Sequence, residues 1–314
     1  MQIIESLEDM KSSSQGFKDQ GKTIASIATF GYFHAGHIPL IELAKANADI
    51  VVISKYYEKL RGGDRVTYRG RPRPRYIESA KNRQSLITEY METAFTKDIE
   101  FCNLHGVDLF WNYTVNPDDV LSFKEAVCPN ITSVIMSLTS GFRFPPMEGS
   151  SWDSASRRTP AHVWIQRLIV EKADVLVLGE NFFHMNMVMG YSIKDLNLPI
   201  KVMTTPTVRD FDGLVEAADN SGLTKAERAK ALSMPKTLKE ISEWSSYPSV
   251  EEIKRYFISA IKNAGGQTWY VDVLDAKTGE ILSVVDREAA VIVAVATKFG
   301  NVVYLSDNIL ISPK

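Results

Sequence analysis

Two histidines three residues apart, His34 and His37, flank Gly36 in the run Thr29-Phe30-Gly31-Tyr32-Phe33-His34-Ala35-Gly36-His37. Residue types in this pattern suit phosphate chemistry. At the start of a helix, positions three apart project from one side of the first turn. The helix N-terminus presents unpaired N–H groups and the positive end of its dipole. Gly36 removes a side chain, which lets a phosphate approach the backbone, and Gly31 lets the chain turn where a side chain would clash. Two imidazoles add donors where charge grows on an α-phosphate as pyrophosphate leaves. The plainer alternative is a pair of polar residues capping a helix, and the flanking elements decide between the two.

Those elements form a βαβ unit. Thr23–Ala28 is a short apolar run of strand length, a helical pattern follows from about residue 36 to 47, and Ile50–Ser54 is a continuous β-branched run. Such runs suit parallel strands buried on both faces, and the unit closes right-handed. A short strand and an amphipathic helix precede it, ending near Gly21. Further on, the pattern predicts a helix over 75–95, a strand over 106–111, a Gly/Pro/Ser-rich loop over 141–160 and a helix over 160–171. Strands over 174–179 and 200–203 follow, with a helix between them. Strands alternating with helices define an α/β class with a Rossmann-like, mostly parallel sheet.

After about residue 222 the texture changes. Thr224-Lys225-Ala226-Glu227 opens a helix with a capping-box pattern, a second helix covers about 250–264, and 268–273, 289–297 and 301–305 read as antiparallel strands. The expected organisation is therefore a nucleotide-binding domain over 1–221 and a smaller α+β domain over 222–314.

Lys55, Lys59, Arg61, Arg65, Arg69, Arg71, Arg73 and Arg75 crowd with glycines and prolines into what reads as a basic loop beyond the second strand of the unit. It is either a solvated charge run or a clamp for an anionic ligand, since guanidinium groups suit phosphate and carboxylate. Interleaved tyrosines raise RNA contact as a third reading, but a formal net charge of −2 over 314 residues argues against nucleic acid. No stretch approaches the roughly 18 apolar residues of a membrane span. No signal-peptide pattern opens the chain, and Cys102 and Cys128 have no metal-ligand spacing, which together predict a cytoplasmic protein with reduced thiols.

The residues of the first turn also carry a family resemblance. Thr29–His37 is similar to the signature of the pantothenate synthetase (pantoate–β-alanine ligase) family, within the HIGH-motif nucleotidyltransferase superfamily. Met1–Ile4 and Gly21–Ile24 resemble that family's opening, and Gly179-Glu180 stands where it has Gly-Glu-Lys-Asp. Pro206-Thr207-Val208-Arg209-Asp210 with Asp212-Gly213-Leu214 resembles its Pro-Thr-Val-Arg-Glu…Asp-Gly-Leu segment, and Leu305–Ile309 its ending. The resemblance spans nearly the whole chain. It implies an ATP-dependent, AMP-forming ligase that makes an amide in two steps: an acid and ATP give an acyl-adenylate and pyrophosphate, then an amine displaces AMP. Mg2+ accompanies ATP, and a homodimer is implied.

Carried over by position, His34 and His37 are the catalytic contacts to the nucleotide phosphates. Thr29, Phe30, Gly31, Gly36, Gly179, Asn181 and Val208 surround the nucleotide. His184, Met185, Arg158 and Arg61 are the candidate substrate contacts, the two arginines as replacements for lost cations. No metal ligands are expected.

The chain also departs from the family pattern. The family's phosphate-binding Lys after Gly-Glu is Asn181, its next Asp is Phe182, and its substrate-holding Gln is Met185. Its Ser-Ser-Arg is Ala217-Ala218-Asp219, and its Phe-Val-Asn-Pro is Lys55-Tyr56-Tyr57-Glu58. Each lost charge-assisted phosphate contact costs on the order of 1.5–3 kcal/mol. The sequence therefore points to a divergent member with altered acid or amine specificity. A nucleotidyltransferase, an ATP-independent transferase and a non-catalytic nucleotide- or anion-binding protein on the same fold stay open as alternatives.

Overall fold

The computed structural model describes residues 1–29, 33–58, 95–115, 164–244, 249–285, 288–300 and 302–313. Two sheets organise them. The larger is all-parallel, with six strands in the order β1-β4-β3-β2-β5-β6: β1 Gln2–Ile4, β2 Ile24–Thr29, β3 Ile50–Glu58, β4 Leu109–Val115, β5 Val175–Gly179 and β6 Lys201–Thr205. The order runs outward in both directions from β2 and β5. The switch point of this open sheet therefore lies between the carboxyl ends of those two strands, where such folds bind ligands.

Helices cover both faces, so the central strands are apolar on both sides. On one face α1 (Leu7–Asp19) and α4 (helical residues 164–170) pack with Ile24, Val52 and Trp111. On the other, α2 (Ile38–Asn47) and α3 (helical residues 95–104) enclose Ile27, Ile53, Phe110 and Val177. Ser6 caps α1 by accepting the Asp9 N–H. Helix α5 (Phe183–Asp195) returns the chain from β5 to β6.

Past residue 222 the elements are α6 (Lys225–Ala231), α7 (Ser233–Glu243) and α8 (Val250–Asn263), then an antiparallel sheet β7 (Gln267–Asp275), β8 (Val291–Phe299), β9 (Val302–Ile311). The predicted capping box at Thr224 and Glu227 is present, and a second, at Ser249 and Glu252, opens α8. Leu238, Ile241, Ile253 and Phe257 of α7 and α8 pack on Val271, Val293 and Val295. The opposite sheet face, Leu274, Ile292 and Ala294, packs against Phe183 of α5. Helix α7 was not legible as a separate element.

Lys55 corrects one expectation. It belongs to no solvated basic loop. It is the sixth residue of β3 and fully buried, ion-paired with Asp98 of α3. The predicted helix over 75–95 and loop over 141–160 lie outside the described residues, as do Arg61, Arg158, Phe30, Gly31 and Cys128. Cys102 is a free thiol buried in the core, and that burial pushes its pKa up to about 12.

Candidate active site

Residues 34–37, after β2, are closed on one another by their own hydrogen bonds. Thr29 ends the strand, and residues 35–37 form a single tight turn that runs into α2 with Pro39 near its start. His34 caps the turn, its Nδ1 accepting the Gly36 N–H at 3.2 Å. His37 reaches back, its Nδ1 accepting the His34 N–H at 3.3 Å. The Nδ1 of each ring is thus an acceptor, which assigns both protons to Nε2. His37 Nε2 lies 2.8 Å from Thr29 Oγ1 and donates to it.

The two histidines therefore differ in what they can do. His37 is buried with both nitrogens engaged, and its ring packs edge-on against Phe33. Burial pushes its pKa well below the ordinary value, with His34 and then Lys55 adding to the effect and the His34 backbone hydrogen bond opposing it. His34 is partly exposed, and among the described residues its Nε2–H has no protein partner. Burial lowers its pKa to about 4, so at neutral pH it offers a neutral N–H donor. The expectation of two equivalent donors narrows to one donor, His34, supported by a structural His37. The expectation of unpaired N–H groups is also revised, because the Gly36 and His37 N–H groups are already paired within the turn.

Gly36 leaves room for the His34 ring. A Cβ there would lie 2.8 Å from His34 Cε1 and 2.9 Å from Nδ1. Below the turn, Asp98 Oδ1 accepts the Phe33 N–H at 3.2 Å while pairing with Lys55. Lys55 in turn lies over the Phe33 ring, 5.1 Å from its centroid, and its carbonyl accepts from Arg167 at 3.2 Å. Lys55 and Asp98 were not foreseen as contributors. Lys55 stands where the resembling family has an apolar residue, and that departure was the available signal.

Across the switch point, Gly179 closes β5, one strand from Thr29 and paired with Thr205 of β6. Its carbonyl accepts from Asn186 at 2.9 Å. Asn181 folds back so that its Oδ1 fills the space a Cβ at Gly179 would need, 2.6 Å away. The segment after β6 is a hairpin with a bridge between Arg209 and Val215, in which the Glu216 N–H donates to the Val208 carbonyl at 2.9 Å. Gly213, at φ +92°, makes its turn. The hairpin brings Glu216 beside the phosphate turn, its carboxylate 3.7 Å from His34 Nδ1. Glu216 was not foreseen.

Several motif segments meet here. Arg209 holds Asp307 with two bonds, 2.7 and 2.9 Å, and Asn308 donates to the Glu180 carbonyl at 2.7 Å. Arg228 binds Asp210 at 2.5 Å and Asp212 at 2.7 and 2.9 Å. These contacts give the distant segments around 180, 209 and 307 a common physical purpose, which is to fix the small sheet beside the crevice. His184 serves the same end. Its Nε2 is 3.2 Å from Asp272 Oδ2 and its ring stands edge-on to Tyr270, so it ties α5 to β7. Met185 packs into the core between β5 and its helices.

A parallel α/β sheet with a phosphate-type turn at its switch point defines a nucleotide-using enzyme class, and the comparisons narrow it. The sequence model of the pantoate-beta-alanine ligase family matches residues 2–310. The pantothenate synthetase of Thermotoga petrophila is 27% identical, with 99% of this chain and 100% of that protein covered. That of Coprothermobacter proteolyticus is 24% identical, with 99% of each covered. The crystal structure of pantothenate synthetase from Thermus thermophilus superposes with a TM-score of 0.68 at 22% identity over 100% of both chains. The pantoate-beta-alanine ligase of Francisella tularensis, complexed with beta-gamma ATP and beta-alanine, gives 0.62 at 21% identity over 99% of this chain and 97% of that one. The chain belongs to the pantoate-beta-alanine ligase family, whose chemistry is ATP-dependent formation of an amide through an acyl-adenylate. Among the described residues no helix is long and apolar enough to cross a membrane.

Proposed function

We propose that the protein joins a carboxylic acid other than pantoate to an amine, by adenylation followed by aminolysis, in the crevice between β2 and β5. The observation that carries this reading is the turn His34-Ala35-Gly36-His37 at the switch point of the family's fold, coupled with rebuilt surroundings. His34 Nε2–H donates to the nucleotide phosphates and stabilises charge as pyrophosphate departs. His37, locked to Thr29, holds the turn that positions His34. Gly179 and Val208 border the adenosine side, and Asn181 stands on the phosphate side. Phe30 and Gly31 belong to the same motif, and Arg61 and Arg158 supply cations to the acid or the phosphates.

Two losses support altered specificity. Asn181 carries no charge where the family has a cation. Met185 contributes an apolar side chain to the core where the family holds its acid with Gln. The replacement acid therefore makes fewer polar contacts at that point.

Magnesium enters with the substrate as MgATP. Among the described residues no group of three acidic, His or Cys side chains is placed to hold a metal ion, and Mg2+ is commonly bound largely through substrate phosphates. The protein acts on small-molecule substrates as a cytoplasmic homodimer, with the nucleotide-binding unit over 1–221 and the smaller unit over 222–314.

Exchange of labelled pyrophosphate into ATP, screened across hydroxy and keto acids with pantoate as reference, tests the reading. An acid other than pantoate that supports exchange, followed by amide formation when an amine is added, is the expected result. Absence of ATP dependence with every acid and amine overturns it. A second reading, an ATP-independent transferase, draws on the carboxylate set against His34, and acyl transfer to an amine without ATP would establish it.

A further inference from the structure

Glu216 is a charged group beside the His34–His37 turn, and its backbone is fixed from several directions. Its N–H is bonded to the Val208 carbonyl, and its Cβ lies 3.4 Å from the position a Cβ on Gly36 would take. The hairpin that carries it is pinned at its tip, where Arg228 holds Asp210 and Asp212. The backbone therefore places the Glu216 Cβ against the turn, within reach for its carboxylate to lie 3.7 Å from His34 Nδ1.

Among the described residues, no lysine or arginine is ion-paired with it. His34, 3.7 Å away, turns toward it the Nδ1 lone pair that accepts the Gly36 N–H, and burial keeps that ring neutral at pH 7. Among the described residues, the other charged groups that act on Glu216 are Asp210, Asp212 and Arg228, and that guanidinium is already shared between the two aspartates. Burial first, and then Asp210, hold the Glu216 carboxyl above its ordinary range. Residues 217–219 add no cation, being Ala-Ala-Asp.

We propose that Glu216 sets the nucleotide affinity of this site: its carboxylate, beside the His34–His37 turn, weakens the binding of polyphosphate anions such as MgATP without preventing it. This rests on the reading of the His34 turn as the phosphate site. On that reading a triphosphate approaching His34 and Gly36 meets a like charge within a few ångströms, and such repulsion is strong in a partly desolvated crevice.

The test is calorimetric titration of the intact protein with MgATP and with AMP, comparing wild type, Glu216→Gln and Glu243→Gln. The last removes one carboxylate from the exposed end of α7. Glu216→Gln keeps shape while removing charge, and a thermal melt confirms that it folds. Glu216→Gln should bind MgATP about tenfold more tightly and AMP less markedly so, because the repulsion scales with phosphate charge. Glu243→Gln should change neither. MgATP binding by Glu216→Gln that is no tighter than wild type overturns the proposal while leaving the phosphate-site reading intact. Failure of both wild type and Glu216→Gln to bind either nucleotide overturns the proposal and that reading together.

Discussion

Thr29 at the end of β2 and His37 at the start of α2 are joined by a buried hydrogen bond, Oγ1 to Nε2 at 2.8 Å. The bond ties the last residue of the strand to the residue that leads into the helix. It also fixes the His37 tautomer, because the ring's other nitrogen accepts from the His34 backbone. Thr29→Val keeps the shape and removes the acceptor. The buried His37 N–H is then left unpaired, which costs about 1–3 kcal/mol. The urea midpoint should fall accordingly, and Thr29→Ser should stay near wild type. Equal midpoints for Val and Ser would mean that the bond contributes nothing.

Gly36→Ala tests the other half of the turn. The added Cβ would meet the His34 ring at 2.8 Å, so the ring must leave its position against the Gly36 N–H. The backbone at 36 is not in the left-handed region, so the fold itself is not strained. The rate of pyrophosphate exchange should drop on the order of 10- to 100-fold, the usual effect of a displacement near 1 Å in a reacting group, while the melting temperature stays close to wild type. An unchanged rate would show that His34 acts from another position.

Lys55 and Asp98 form a fully buried ion pair under the same turn. Removing one partner takes the opposite charge away from the other, which costs about 3–5 kcal/mol, whereas removing both charges is far milder. Lys55→Met should therefore be strongly destabilising in guanidinium unfolding. Lys55→Met with Asp98→Asn should recover most of the loss, since the introduced side-chain amide can still accept the Phe33 N–H through its oxygen. If the double variant were no more stable than the single, the cost would lie in the volume of the lysine and not in the orphaned carboxylate.

Glu171 gives a pH test. It is fully buried beneath Ser26 and Ser54, and burial pushes its carboxyl up to about 7, with Ser26, Arg167 and Ser54 pulling back only in part. A carboxyl raised in the folded state favours folding at pH below its unfolded value near 4.5, and that contribution is lost as pH rises through about 7. His34 and His37 act in the opposite sense. Their folded-state pKa values are depressed, so their contribution is present above the ordinary histidine value of 6.5 and is lost as pH falls, for His34 toward about 4. Glu171→Gln removes only the first effect. Its stability relative to wild type should rise between pH 5 and pH 8 in urea titrations; a flat difference would remove Glu171 from the account.

Much of this molecule was readable before any coordinates. The apolar runs at 24–28, 50–54 and 175–178 announced strands buried on both faces, and their alternation with helices implied a parallel sheet. The spacing of His34, Gly36 and His37 announced the turn from β2 into α2. Less legible were the roles within that turn. Two histidines at matching spacing look equivalent, and only the partner of each ring nitrogen separates a buried brace from a free donor. His184 looked like a ligand because of its neighbours in sequence, yet its partner, Asp272, is 88 residues away.

Periodicity, capping residues and β-branched runs act over a few neighbouring residues, and so the sequence by itself determined the elements, their class and the location of the His34–His37 turn. What only the tertiary structure decided was charge compensation. Lys55 reads as one more cation in a basic run until Asp98 is found against it, and Glu216 reads as an ordinary surface acid until the hairpin sets it 3.7 Å from His34. The energy of a charge depends on its distance to other charges and on the water it has lost, and neither quantity exists until the chain has folded.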